Sequence, residues 1–80
     1  MTREEIIKQI NAEMAEEFEV SEDLMTPEAN IKDTLNLDSL NLVDIVAMVQ
    51  QYFGIDIPIA DLRNIKTFND LYDYIEKHQK

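Results

Sequence analysis

The sequence has no cysteine and no tryptophan, only one glycine, two prolines and one histidine, and just seven lysines and arginines against seventeen carboxylates in 80 residues. Without cysteine, neither a disulfide framework nor a thiolate metal site can staple a chain this small, so its stability must come from a buried apolar core. Cysteine usage leaves the redox compartment open, and a reducing cytosol fits. With Gly54 the sole glycine, a glycine-rich phosphate loop is excluded. The single histidine, His78, lies beside Lys77 near Lys80, where positive charge suits a helix C-terminus; it reads as a terminal cation and not as a catalytic base. No apolar run approaches the length of about 20 residues that spans a bilayer. The start, Met1-Thr2-Arg3-Glu4-Glu5, is acidic where a signal peptide is basic and then apolar, so the expectation is a soluble cytoplasmic protein. The shortage of positive charge leaves a net charge of −10, which argues against nucleic acid or an anionic membrane as partner and for basic protein surfaces. The acidity is concentrated upstream: residues 1–30 hold nine carboxylates against Arg3 and Lys8, residues 31–80 eight against five cations. Much of it reads as solvated helix face.

What is present is helical periodicity, arranged in one domain covering residues 1–80. Its centre is Asn36 to Gly54, which reads as one helix with a polar start and a glycine stop. At about 100° per residue, Leu42, Ile45, Val46, Val49 and Phe53 form a core-facing stripe. Leu40, Val43 and Ala47 form a second, narrower stripe flanked by Asp44 and Gln51. A chain this short has little mass to cover both, so the second stripe is left wet and open to a partner. At the start, Asp38 or Ser39 supplies a short oxygen that caps the first turn, and the same amides and helix dipole favour an anion there, including a phosphate esterified to the serine.

Before this stretch, Thr2-Arg3-Glu4-Glu5 reads as a capping box. It opens a first helix that carries Ile6, Ile7, Ile10, Met14 and Phe18 inward and ends near residue 17 or 18. From Glu19 to Asn36 the periodicity weakens; with Thr26-Pro27-Glu28 as a local start signal, a long loop with one or two short turns is expected, pinned by Leu24, Ile31 and Leu35. After Gly54, Ile55-Asp56-Ile57-Pro58 reads as an extended connection into a short helix near Ile59–Asn64 with Ile59 and Leu62 inward. Thr67 then caps a last helix through Asp70, burying Phe68, Leu71, Tyr72 and Ile75. The expected fold is all-α: a small four-helix bundle with a long loop between helices 1 and 2 and a short third helix. No nucleophile–base pair emerges, and the carboxylates are scattered over helix faces, which favours neither an enzyme nor a metal cage.

Leu37-Asp38-Ser39-Leu40 with Val43, Asp44, Ile45, Val46 and Phe53-Gly54, followed by Gly54-Ile55-Asp56-Ile57-Pro58, Ile65-Lys66-Thr67 and Asp73-Tyr74-Ile75, resembles the acyl carrier protein family over nearly the whole chain. An Asp-Ser start alone is a common helix cap; the downstream pattern is what makes the resemblance specific. It implies a 4′-phosphopantetheine arm covalently attached to Ser39, with no metal and no catalytic residue in the chain itself. It also implies partners: a phosphopantetheinyl transferase, then acyl-transferring and chain-elongating enzymes with basic docking surfaces, meeting a monomer through Asp38, Leu40, Val43, Asp44 and Ala47. The arm would present acyl intermediates of fatty acid or related biosynthesis as thioesters. Asn36 stands where the family often has glycine, which a left-handed backbone tolerates. Asn41, Gln50, Gln51 and Tyr52 stand where the family is commonly acidic. This departure leaves open a specialised carrier of polyketide, modified-lipid or aminoacyl groups. A reading from a different class is a helical interaction module without prosthetic group.

Overall fold

The computed structural model describes residues 2–37 and 42–79. Among them are five α-helices: α1 (Arg3–Phe18), α2 (Ile31–Leu35), α3 (Leu42–Phe53), α4 (Ile59–Leu62) and α5 (Phe68–His78). The described residues contain no strand, only an isolated antiparallel bridge between Asn30 and Thr67.

The first and last helices begin as their sequences dictate. Thr2 accepts from the Glu5 amide at 3.2 Å while the Glu5 carboxylate accepts from the Thr2 amide at 3.0 Å, and Thr67 and Asp70 repeat the arrangement at α5. Each box satisfies donors that a helix start leaves without a partner. The backbone amides of Thr2 and of Lys66 and Thr67 hold Glu5 and Asp70 below the usual carboxylate range.

The core is built from Ile6, Ile10 and Met14 of α1, Leu42, Ile45, Met48 and Val49 of α3, and Phe68, Leu71, Tyr72 and Ile75 of α5. Helix α1 packs on both α3 and α5. Across the α1–α5 seam, the buried Tyr72 hydroxyl donates to Asn11 Oδ1 at 2.6 Å, which removes the penalty of burying either group alone. Arg3 ties the same seam at the surface through Asp73, Glu76 and Asn69. Burial of the Tyr72 ring pushes its phenol up.

The long connection after α1 contains a 3-10 turn at Glu22–Leu24, a turn closed from Ala29 N–H to Thr26 O at 3.0 Å, and the five-residue α2. Ile31 and Leu35 anchor it as the periodicity implies, but Leu24 does not: it is 57% exposed and Met25 is buried in its place. The turn delivers one of the two neighbours inward, and the local pattern cannot say which. Thr26-Pro27 does not start a helix; Asn30 caps α2 by accepting from the Asp33 amide. The connection is held to the far end of the chain by Ile31 N–H to Lys66 O and Phe68 N–H to Ala29 O.

Asn36 ends α2 in the left-handed conformation (φ 56°), so it is not the start of the next helix as its polar character implies. Glu19 takes the same conformation (φ 56°) after α1, and Gly54 (φ 67°) closes α3. The segment after Gly54 runs extended, with Ile55 and Ile57 buried and Asp56 exposed. In α4, Leu62 faces the core but Ile59 is 66% exposed. A helix of one turn has room for one inward side chain, and Ile57 and Ile65 already fill the core on either side.

Candidate functional site

Three of the residues expected at the site, Asp38, Ser39 and Leu40, lie outside the described residues, with Asn41. Their flanks are defined. Leu37 is half-buried, its amide donating to Lys32 O at 2.9 Å, and α3 is in place from Leu42.

Helix α3 carries the two faces expected of it. Leu42, Ile45, Met48 and Val49 are buried, with Val46 and Phe53 packed at the edge. Val43 is 51% exposed, and Asp44 and Ala47 are also at the surface. The second stripe is therefore in water where its residues are described. Met48 was not part of the expected core stripe; it closes the face toward α1.

That packing creates a feature the sequence does not reveal. Glu13 and Glu17 of α1 and Asp44, Ala47, Gln51 and Tyr52 of α3 surround a shallow groove of about 160 Å³ floored by Met48. The Glu13 carboxylate beside its hydroxyl raises the Tyr52 phenol above its ordinary value. The weak acidity of α3 is thus supplemented from the neighbouring helix. The spacing of Glu13 and Glu17 puts them on one face, but nothing in the sequence says which element that face meets.

Lys32 of α2, Leu42 at the start of α3, Ile59 and Leu62 of α4, and Arg63 line a mixed polar and apolar cleft of about 330 Å³. An open groove near the chain's end, about 410 Å³, is lined by Asp61, Asp73, Tyr74, Lys77 and His78 among others. There the Tyr74 hydroxyl donates to Asp61 Oδ2 at 2.9 Å, and burial, with Asp61, raises its phenol. His78 stacks on the Tyr74 ring at 4.0 Å, its Nδ1 2.9 Å from Tyr74 O. No serine, threonine or cysteine lines this groove, so His78 has no nucleophile to activate there. Among the described residues there is no cluster of three or more metal-ligating side chains and no helix long and apolar enough to cross a membrane.

A phosphopantetheine arm joins a phosphodiester to a long flexible chain ending in a thiol. The surroundings of α3 fit such a group: an exposed stripe with Val43 at the surface, and a cleft lined by Leu42, Ile59 and Leu62 together with Lys32 and Arg63.

Comparison with known proteins agrees with this geometry. The family model described as "Phosphopantetheine attachment site" matches residues 8–75. The chain is 41% identical over 76 residues to the acyl carrier protein of Thermotoga maritima, covering 95% of this chain and 94% of that one. It is 37% identical over 79 residues to that of Rubrobacter xylanophilus, covering 99% and 98%. A solved structure of the acyl carrier protein from Enterococcus faecalis superposes with a TM-score of 0.82 at 33% identity, covering 99% of this chain and 100% of that one. A family match over most of the chain, relatives aligned nearly end to end and a shared fold lead to one conclusion: the chain belongs to the phosphopantetheine-bearing acyl carrier protein family.

Proposed function

We propose that Ser39 is the residue that receives the 4′-phosphopantetheine, and that the whole chain acts as one carrier domain. The observation that carries this reading is the fate of the alternative. The sequence has two serines, and Ser21 is committed to the 3-10 turn, its hydroxyl accepting from the Asp23 amide at 3.3 Å. Ser39 stands after Asp38, three residues before Leu42, within the matched span. When attached, the arm supplies a terminal thiol that holds an acyl group as a thioester.

The protein's own residues do the presenting. The buried face of α3 fixes the helix to α1 and α5, so its exposed face keeps a constant orientation toward a visiting enzyme. Val43 and Ala47, with Leu40, supply apolar contact, while Asp38 and Asp44 guide a basic partner into register. Glu13 and Glu17 add to that field across the α1–α3 groove. A phosphopantetheinyl transferase and the acyl-transferring and elongating enzymes are the partners this surface suits, met by a monomer in the cytoplasm. The chain works as a carrier, not as an enzyme, because reactive chemistry resides in the arm and in those partners.

The test is intact mass after incubation with coenzyme A and a phosphopantetheinyl transferase of broad range. The wild-type chain should gain one arm and Ser39→Ala none, with its helical circular dichroism unchanged. An arm on the alanine variant rejects the assignment. A wild-type chain that gains nothing supports the interaction module instead.

A further inference from the structure

Helix α4 ends on a side chain of the minority sign. In a chain of net charge −10, Arg63 directly follows α4 and is exposed, and no ion pair joins it to any described residue. The nearest carboxylate in sequence, Asp61, accepts instead from the Tyr74 hydroxyl of α5 at 2.9 Å. Arg63 continues the helical turn, its amide donating to Ile59 O at 3.2 Å, so Ile59 and Arg63 lie one turn apart on one face. Ile59 is 66% exposed, more than Val43 of the α3 stripe. Both Ile59 and Arg63 line the cleft that also holds Leu42, the residue before Val43. Lys32 lines it too but already has a partner, which leaves Arg63 as the charge that a visitor must answer.

A partner seated on Val43 reaches α4 as well. A standard interface takes about 800 Å² from each partner, a round patch roughly 30 Å across, and the Cα positions of the protein span only 30 × 26 × 21 Å. Such a footprint takes in a cleft whose lining begins one residue from Val43. Covering Ile59 gains apolar burial. Covering Arg63 strips water from an unpaired guanidinium, which is unfavourable unless the partner supplies an acceptor. Toward α1, the same footprint meets the opposite sign in Asp44, Glu13 and Glu17.

We propose that the docking surface carries two signs: an enzyme that uses this carrier presents basic side chains to Asp44, Glu13 and Glu17 and, opposite α4, a carboxylate beside an apolar patch that receive Arg63 and Ile59. The inference rests on the α3 docking reading. It makes Arg63 a specificity residue, because an enzyme with a basic surface throughout is repelled at α4. Opposite charges at the two ends of the footprint also favour one orientation of the complex over its reverse.

The probe is the chain-elongating synthase of the same source organism, assayed with carriers that are fully loaded and checked by mass. Ile59 and Arg63 are exposed, so Ile59→Ser, Arg63→Gln, Arg63→Glu and Arg63→Lys should keep the helical circular dichroism. KM for the carrier should rise by on the order of fivefold in Arg63→Gln, further in Arg63→Glu, and about fivefold or more in Ile59→Ser. Arg63→Lys should stay near the wild-type KM, and kcat at saturating carrier should be unchanged throughout. A KM that falls in Arg63→Glu shows a basic surface opposite α4 and overturns the proposal. An unchanged KM in Arg63→Glu, or a rise that Arg63→Lys shares in full, overturns it too. Val43→Asp, measured alongside, keeps the two readings apart: if it leaves KM unchanged, the α3 docking surface fails, whereas a raised KM there beside a silent Arg63→Glu rejects the α4 proposal alone. A synthase that does not elongate the loaded wild type rejects the carrier reading itself.

Discussion

If the exposed stripe of α3 is the docking surface, its apolar and charged members should fail in different ways when altered. Val43 is 51% exposed in the free protein. Fully burying a valine is worth about 1.5–3 kcal/mol, so covering the exposed half contributes roughly 0.8–1.5 kcal/mol to a complex. Removing that contact costs about four- to thirteenfold in affinity, and Val43→Asp adds the cost of enclosing an unpaired carboxylate. Asp44 is different. It is a rim charge of the kind worth about 0.2–1 kcal/mol, and Glu13 and Glu17 remain beside the same groove when it is neutralised. Asp44→Asn should therefore lower affinity by roughly fivefold or less, mainly through slower association and a shallower dependence on salt. The assay is the rate of loading by the transferase, with association and dissociation followed at several salt concentrations on folded, matched variants. Val43→Asp should be the more damaging and should act through faster dissociation. A crippling Asp44→Asn beside a nearly silent Val43→Asp would refute the docking assignment and, with it, the role given to the second stripe.

Other outcomes follow from the rest of the fold. Tyr72→Phe leaves Asn11 Oδ1 buried without its 2.6 Å partner and should destabilise by about 1–3 kcal/mol in denaturant titration; an unchanged midpoint would mean that water replaces the hydroxyl. Asp70 is held below its ordinary value by the amides of Lys66 and Thr67, so its contribution is present above the unfolded value of about 3.9 and is lost as pH falls through the lower folded value. Asp70→Asn should thus narrow the stability gap between neutral and strongly acid solution, and an identical acid limb in both proteins would contradict this. With a net charge of −10, moderate salt should raise the melting temperature by relieving self-repulsion, whereas coincident melting curves would show the carboxylates too far apart to matter.

The elements legible in the sequence are those in which a local signal and a tertiary demand coincide. Thr2 and Thr67 each stand three residues before a carboxylate that completes the box, and the stripe Phe68, Leu71, Tyr72, Ile75 is buried as its spacing requires. Gly54 and Asn36 both take the left-handed backbone their side chains permit. Glu19 does so without that permission, because the chain must turn after Phe18 whatever residue follows. Two misplaced side chains, Leu24 for Met25 and an inward Ile59, fall in a three-residue turn and a one-turn helix. Elements this short have no periodicity to read. The candidate site divides in the same way. The wet stripe of Val43 and Ala47 follows from α3 alone, whereas the acidic groove and the cationic cleft are products of how α1, α2 and α4 pack around it.

The central claim is that one hydroxyl, Ser39, carries the arm, and the most direct measurement locates the arm on the wild-type chain. Trypsin, cutting after Lys32 and Arg63, releases the segment from Asp33 to Arg63, in which Ser39 is the only serine, while Ser21 falls in the segment that ends at Lys32. After treatment with coenzyme A and the transferase, the mass of the arm should appear on the Asp33–Arg63 fragment, and fragmentation should place it on Ser39. An arm found on the fragment containing Ser21, or on Thr34, would contradict the account at its root.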